Sequence, residues 1–272
     1  MIGSYLMLSG MSEAKARALR ESQLGRVDRI ISIYFAWTDP LPTSFRGVPA
    51  GSIPMVSWSG TDYSAIANGS QDRLIEAAAR ALIAYGKPVL LRFAWEMNGF
   101  WFAWGGPNNP SGATGFIKAW RHVHAIFAAA GATNVSWVWC VNWNDNPPTK
   151  KNVGRRYYPG DAFVDWIGVD GFNGADQTPE DLFGAFYSEY AGRKPLMIAE
   201  TAVNGPRDST SQGQWIASLA TWIKQRPDIK ALVWFDTDLR TETGGKVNWR
   251  VDANPSELAA YRRLVNDPYF GG

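Results

Sequence analysis

The chain has 272 residues, 46% apolar and 19% charged, enough hydrophobic material for one large core or two smaller ones. Its 27 basic and 25 acidic residues are spread without runs and leave a formal charge of +2, which argues against nucleic acid or a charged membrane surface as partner. The single cysteine, Cys140, excludes an internal disulfide and a thiolate zinc site, and no apolar run approaches the roughly 20 residues that span a bilayer.

In chain order, residues 2–8 read as a strand. Ser12 is an N-cap for a helix over 13–24 that stops at Gly25. Residues 29–36 and 53–57 are the next strands, and 62–69 reads as a loop. A helix over 70–85 carries Leu74, Ile75, Ala78, Leu82 and Tyr85 on one face and closes at Gly86. Strand 88–93 precedes a helix over 114–130 that turns Phe116, Ile117, Trp120, Val123, Phe127 and Ala130 inward. Strands 134–140 and 164–169 follow, then a helix starting at Thr178-Pro179 and running to 191. Strand 195–199, helix 211–225 with Trp215, Leu219, Trp222 and Ile223 inward, and strand 229–235 complete the alternation. A last helix has Asn254, Pro255 and Glu257 in a capping-box arrangement. Eight strands separated mostly by helices, with no linker or repeat, predict a parallel sheet closed as a single-domain (β/α)8 TIM barrel over 1–272.

Active sites of such barrels lie at the carboxyl ends of the strands. Trp37, Asp39, Trp58, Arg92, Trp95, Glu96, Asn142, Trp143, Asp170, Glu200, Trp234 and Asp236 fall there. The stretch 88–104, PVLLRFAWEMNGFWFAW, stands out, because the loop after its strand should be polar and instead surrounds Glu96 with Trp95, Asn98, Phe100, Trp101, Phe102 and Trp104. Sugars present flat apolar faces ringed by hydroxyls, so indoles interleaved with amides and acids suit a sugar cleft. Glu96 and Glu200 end strands four and seven, nearly across the barrel mouth. A pair of carboxylates, one protonated and one ionised, is what glycoside hydrolysis requires. The competing reading is a barrel end capped by aromatics, with Glu96 paired to Arg92.

RFAWEMNGFWFAW, AWRHV, NVSWVW, YYPGDAFVDWIGVDGFN and the strand ending at Glu200 together resemble glycoside hydrolase family 26, the β-mannanase family, from about Gly3 to the last helix. The resemblance implies a barrel of the 4/7 superfamily, retaining chemistry, Glu96 as general acid/base and Glu200 as nucleophile. It also implies Trp234 as a sugar platform, with Arg92, Trp101, Asn142, Trp143 and Asp170 near the glycone side. In two places the chain departs from the family. Trp95 stands where the family has His, and Phe172 where it commonly has a Tyr that hydrogen-bonds the nucleophile, leaving Tyr157 and Tyr158 as candidates for that bond.

The expected activity is therefore retaining endo-hydrolysis of a β-linked polysaccharide, β-1,4-mannan first, with β-1,3-xylan or mixed-linkage β-glucan next and a non-catalytic carbohydrate-binding barrel as the alternative. No cofactor or metal is implied. His122 and His124 do not share a helix face, and Asp170, Asp236 and Asp238 read as sugar-binding acids rather than cation ligands. Cys140 reads as a buried thiol. No GxSxG, GxGxxG or P-loop is present. The expected protein is a monomer whose partner is a polysaccharide or oligosaccharide. With no signal sequence ahead of Ile2 it is expected to be secreted with its leader removed, the cytoplasm being the alternative.

Overall fold

The computed structural model describes residues 1–174, 176–203, 209–241, 243–245 and 247–270, without the side chains of 209–211. Strands β1 (Ile2–Met7), β2 (Ile30–Phe35), β3 (Ile53–Trp58), β4 (Val89–Phe93), β5 (Val135–Asn142), β6 (Trp166–Asp170), β7 (Leu196–Thr201) and β8 (Ile229–Thr237) run through the chain. Between and after them lie helices α1 (Glu13–Leu24), α2 (Tyr63–Ala67), α3 (Asp72–Tyr85), α4 (Gly112–Ala130), α5 (Pro179–Tyr190), α6 (Ser209–Lys224) and α7 (Pro255–Val265). The strands close in sequence order into a barrel with parallel pairing, the (β/α)8 TIM fold that the alternation predicts. No helix among the described residues is long and apolar enough to cross a membrane. The chain clusters into two compact units, one of Met1–Ser32, Gly47–Ser52 and Val169–Gly272, the other of Ile33–Arg46 and Ile53–Gly168.

In the first unit the helix boundaries follow local chemistry. The Ser12 side chain accepts from the Lys15 amide, and Gly25 closes α1 in left-handed backbone at φ 73°. The two faces of the strands are separated by period-two alternation. On β1, Leu6 packs with Leu8 and with Ala16 of α1, so even-numbered residues face the helices and Tyr5 faces the other way. β8 is registered to β1 with Leu6 opposite Asp236 and Tyr5 opposite Phe235. Trp234 and Asp236 therefore point outward, and Phe235 inward. The Trp234 ring lies 4.9 Å from Tyr261 of α7 and 6.4 Å from Trp215 of α6.

The second unit has the same logic. Trp58 and Phe93, opposite one another in the β3–β4 register, pack outward toward Phe127 and Trp120 of α4. Ser57 and Arg92 are the paired residues on the inner face, with Arg92 Nε donating to Ser57 Oγ at 3.0 Å. Two local expectations change. Residues 62–69 are not all loop: Asp62 accepts from the Ala65 amide and starts α2, a helix too short for periodicity to reveal, which buries Tyr63 and Ile66. The capping box expected at Asn254 is half formed, since Asn254 accepts from the Glu257 amide but the complete reciprocal pair is at Thr178 and Asp181 of α5.

Candidate active site

In the second unit Glu96 lies beyond the end of β4, on a turn that the backbone must be forced to make. Ala94 and Glu96 both adopt left-handed conformations, at φ 45° and 52°, which non-glycine residues avoid. The turn is held from both neighbouring strands: the Ala94 amide donates to Trp58 O and the Glu96 amide to Cys140 O, each at 2.9 Å. Cys140 itself is buried and in no disulfide. Trp101 Nε1 donates to Glu96 Oε2 at 2.5 Å, and Trp101 is 40% exposed beside Phe100, which is 53% exposed. Arg92 lies below, fully buried, donating to Tyr34 Oη at 3.1 Å with its guanidinium 5.1 Å from the Trp95 ring centroid.

Several residues expected to meet sugar instead build this loop. Asn98, 1% exposed, spends its whole amide: Oδ1 accepts from the Asn142 amide, and Nδ2 donates to Asn142 O, Asn144 O and Asp145 Oδ1. Trp104 is buried, stacked on Phe102 at 4.3 Å, and its N–H donates to Trp95 O. Trp95 is packed among Tyr34, Phe102 and Trp104, so this indole is part of the aromatic packing of the loop. Asn142 is buried with Nδ2 donating to Asn144 O and Oδ1, while Trp143 is half-buried. Trp37 and Trp58 stack on each other at 4.4 Å in the outward core.

In the first unit Glu200 is a residue of β7, one position before its end. Ile198 pairs with Leu232 and Thr201 with Trp234, so a bulge inserts one extra residue between them. Without it Glu200 would stand opposite Trp234 and share its outward face; with it the carboxylate turns to the inner face. The Glu200 carbonyl accepts from the Gly171 amide at 3.0 Å, and side-chain oxygens of Glu200 and Asp170 come within 4.8 Å of each other, both residues being buried. Phe172 stacks on Trp249 at 4.6 Å and meets Phe235 edge-on at 5.5 Å. Tyr5 lies 5.0 Å from Phe235, and its hydroxyl pKa is raised first by burial and then by the charge of Glu200.

Trp234 and Asp236 are corrections to the sequence reading. Trp234 is 0% exposed among helix residues and cannot be a sugar platform. Asp236 is buried in an ion pair with Arg20 of α1, which also reaches Asp252, and Asp238 is paired with Arg240, so these acids hold guanidinium groups. Tyr157 and Tyr158 have partners of their own, Asn152 Oδ1 at 2.7 Å and Asp161 Oδ1 at 2.8 Å. Tyr5 feels Glu200, and with Phe235 and Trp249 it is a residue the sequence reading passed over; inward parity on β1 could have signalled Tyr5, whereas that of Phe235 is fixed only by the β1–β8 register. His122 Nε2 lies 2.6 Å from Asp72 Oδ1, and His124 packs on Trp137 and Phe163 with its pKa lowered by burial.

Residues 52–228 match the sequence profile of glycosyl hydrolase family 26. Over 93% of this chain there is 31% identity to Endoglucanase H of Acetivibrio thermocellus, of which the match covers 29%. Identity is 32% to Beta-1,3-xylanase TXYA of a Vibrio species over 54% of this chain and 30% of that protein. It is 28% to Mannan endo-1,4-beta-mannosidase A and B of Caldalkalibacillus mannanilyticus over 56% of this chain and 28% of that protein. The chain thus spans under a third of the length of these curated relatives. In fold, a Cellulomonas fimi endo-beta-1,4-mannanase double mutant superposes with a TM-score of 0.72 over 99% of this chain and 71% of that one, at 17% identity.

Proposed function

The chain belongs to glycosyl hydrolase family 26, and from that membership we propose that it is a retaining endo-glycosidase of β-linked polysaccharide, with Glu96 as general acid/base and Glu200 as nucleophile. The observation that carries the proposal is the pair of buried glutamates supplied at the carboxyl ends of β4 and β7, one through a left-handed turn and the other through a bulge. Both devices cost regular hydrogen-bonded geometry, and both aim a carboxylate that packing alone would not require.

In the first step Glu96 donates its proton to the glycosidic oxygen while Glu200 attacks the anomeric carbon. In the second, Glu96 takes a proton from water, which displaces Glu200. In this reading Asp170, whose carboxylate lies near that of Glu200, accepts from a sugar hydroxyl. Trp101 and Trp143 offer indole surface to the sugar rings, and Trp249 with Phe172 forms a second stacked aromatic pair. The substrate is read as a β-glucan before a β-mannan, because the endoglucanase relative matches along nearly the whole chain and the mannosidase relative along about half. β-Mannan stays the second reading on the strength of that mannosidase match. The proposal further takes residues 1–272 as one catalytic barrel acting as a monomer outside the cell, where such polymers are met.

Product analysis on mixed-linkage glucan, mannan, galactomannan and 1,3-xylan tests it. Wild type is expected to release oligosaccharides from mixed-linkage glucan first, and Glu96→Gln and Glu200→Gln each to lose at least about a thousandfold in kcat while still binding polymer. Undiminished hydrolysis by either variant would sink the assignment of the pair.

A further inference from the structure

The structure assigns Trp101 to the carboxyl group of Glu96 as a positioning residue, fixing which of its oxygens carries the proton that is donated. This rests on the reading of Glu96 as the acid/base. The sequence reading gave Trp101 only to the sugar. Its indole N–H donates to Glu96 Oε2 at 2.5 Å, and an indole can donate but never accept. Oε2 is therefore kept as an acceptor in both protonation states, and because the carbonyl oxygen of a carboxylic acid accepts far better than its hydroxyl oxygen, the acid form favours the proton on Oε1. A carboxylic acid that can protonate through either oxygen is correctly oriented only part of the time; one whose second oxygen is occupied is oriented before substrate arrives.

The loop is shaped to hold this bond. The indole rests directly on Gly99, where an added Cβ would lie 2.3 Å from its ring, so only glycine admits the ring at that place. Asn108 Nδ2 donates to the carbonyls of Phe100 and Phe102, each at 2.7 Å, pinning the backbone on both sides of Trp101. The Gly99 amide closes the turn by donating to Glu96 O at 2.9 Å. Trp101 still leaves 40% of its surface open, so a sugar can stack on it while its N–H is engaged.

The bond has a chemical signature that stacking lacks. Acid assistance matters for a sugar leaving group and hardly at all for dinitrophenolate, which departs unprotonated. A donor to the carboxylate also favours its ionised form, so removing that donor raises the pKa of the acid. The test is kcat/KM, which reports the first chemical step, for wild type and Trp101→Phe on the polysaccharide and on the dinitrophenyl β-glycoside of the disaccharide that wild type releases. Trp101→Phe is expected to lose roughly 30- to 100-fold on the polymer and less than about threefold on the aryl glycoside, with the basic limb of the polymer pH profile moved up by about one unit. Gly99→Ala, which displaces the indole and its stacking surface together, is expected to lose on both substrates but more on the polymer, with the same shift of the basic limb, and keeps the test open if Trp101→Phe misfolds by circular dichroism. Equal losses on both substrates with an unmoved pH limb would mean a sugar platform only, and would overturn the assignment, as would full activity of both variants. A wild type that hydrolyses none of the polysaccharides releases no disaccharide from which the aryl glycoside is made, and would overturn the reading of Glu96 as acid/base, and this assignment with it.

Discussion

An indole does three different things in this chain, and its surroundings decide which. Trp101 is exposed and bonds a carboxylate, Trp104 is stacked inside its loop, and Trp234 is sealed between β8 and two helices, its N–H without a partner among the described residues. Trp234 was legible as an aromatic at a strand end but not as an outward one, because the last residues of β8, WFDT, carry large or polar groups on both faces. Parity is settled only by the partner strand. Trp234→Ala is expected to cost about 3–5 kcal/mol in urea unfolding, from lost burial plus the cavity left behind, with KM of the folded protein unchanged. A raised KM at unchanged stability would restore the platform reading.

At the scale of elements, the seam where α1, α7 and β8 meet is a buried charge network. Burial works against the charge on Arg20, but its bonds to Asp236 and Asp252 outweigh this and keep it charged. Asp252 is likewise held well below the usual carboxylate range by Arg250, Arg20 and Gln23, against burial. Glu257, fully buried in α7, has no ion pair among the described residues and only a 3.4 Å bond from Asn254 Nδ2: burial, reinforced by the charges of Asp236 and Asp252 and only partly opposed by Arg20, pushes it up to about 9. The N-cap at Asn254 was legible because capping is local. The fate of Glu257 was not, because it depends on a network whose Arg20–Asp236 pair joins residues 216 apart in sequence. Since its folded pKa lies above the ordinary 4.5, the folded state keeps a proton that the unfolded chain releases. Stability from this group is full below that value and declines as pH rises toward 9, by at most about 1.4 kcal/mol per pH unit. Glu257→Gln, neutral throughout, is expected to change little in acid below the ordinary carboxylate pKa and to gain on the order of 2 kcal/mol in urea unfolding under mildly alkaline conditions. A gain that did not vary with pH would show that the carboxyl is not the cause.

For the whole molecule, the barrel was legible because its punctuation is local: Ser12, Gly25, Gly86, Thr178 and Asn254 each mark a helix end by chemistry within one turn. The site was legible to the level of which strand ends carry acids. Beyond that, it depends on a bulge in β7 and a left-handed turn after β4, neither of which leaves a mark in composition or period. The bulge turns Glu200 from the face of Trp234 to the inner face, which both a retaining and an inverting mechanism need, so the stereochemistry has to be read from the product. On the double displacement proposed above, attack by Glu200 followed by water gives two inversions, and the new reducing end is expected to keep the β configuration. Proton NMR during the first minutes of hydrolysis, before mutarotation mixes the anomers, is expected to show the β signal growing first. The α anomer appearing first would mean that Glu200 activates water instead, and that the covalent step does not occur.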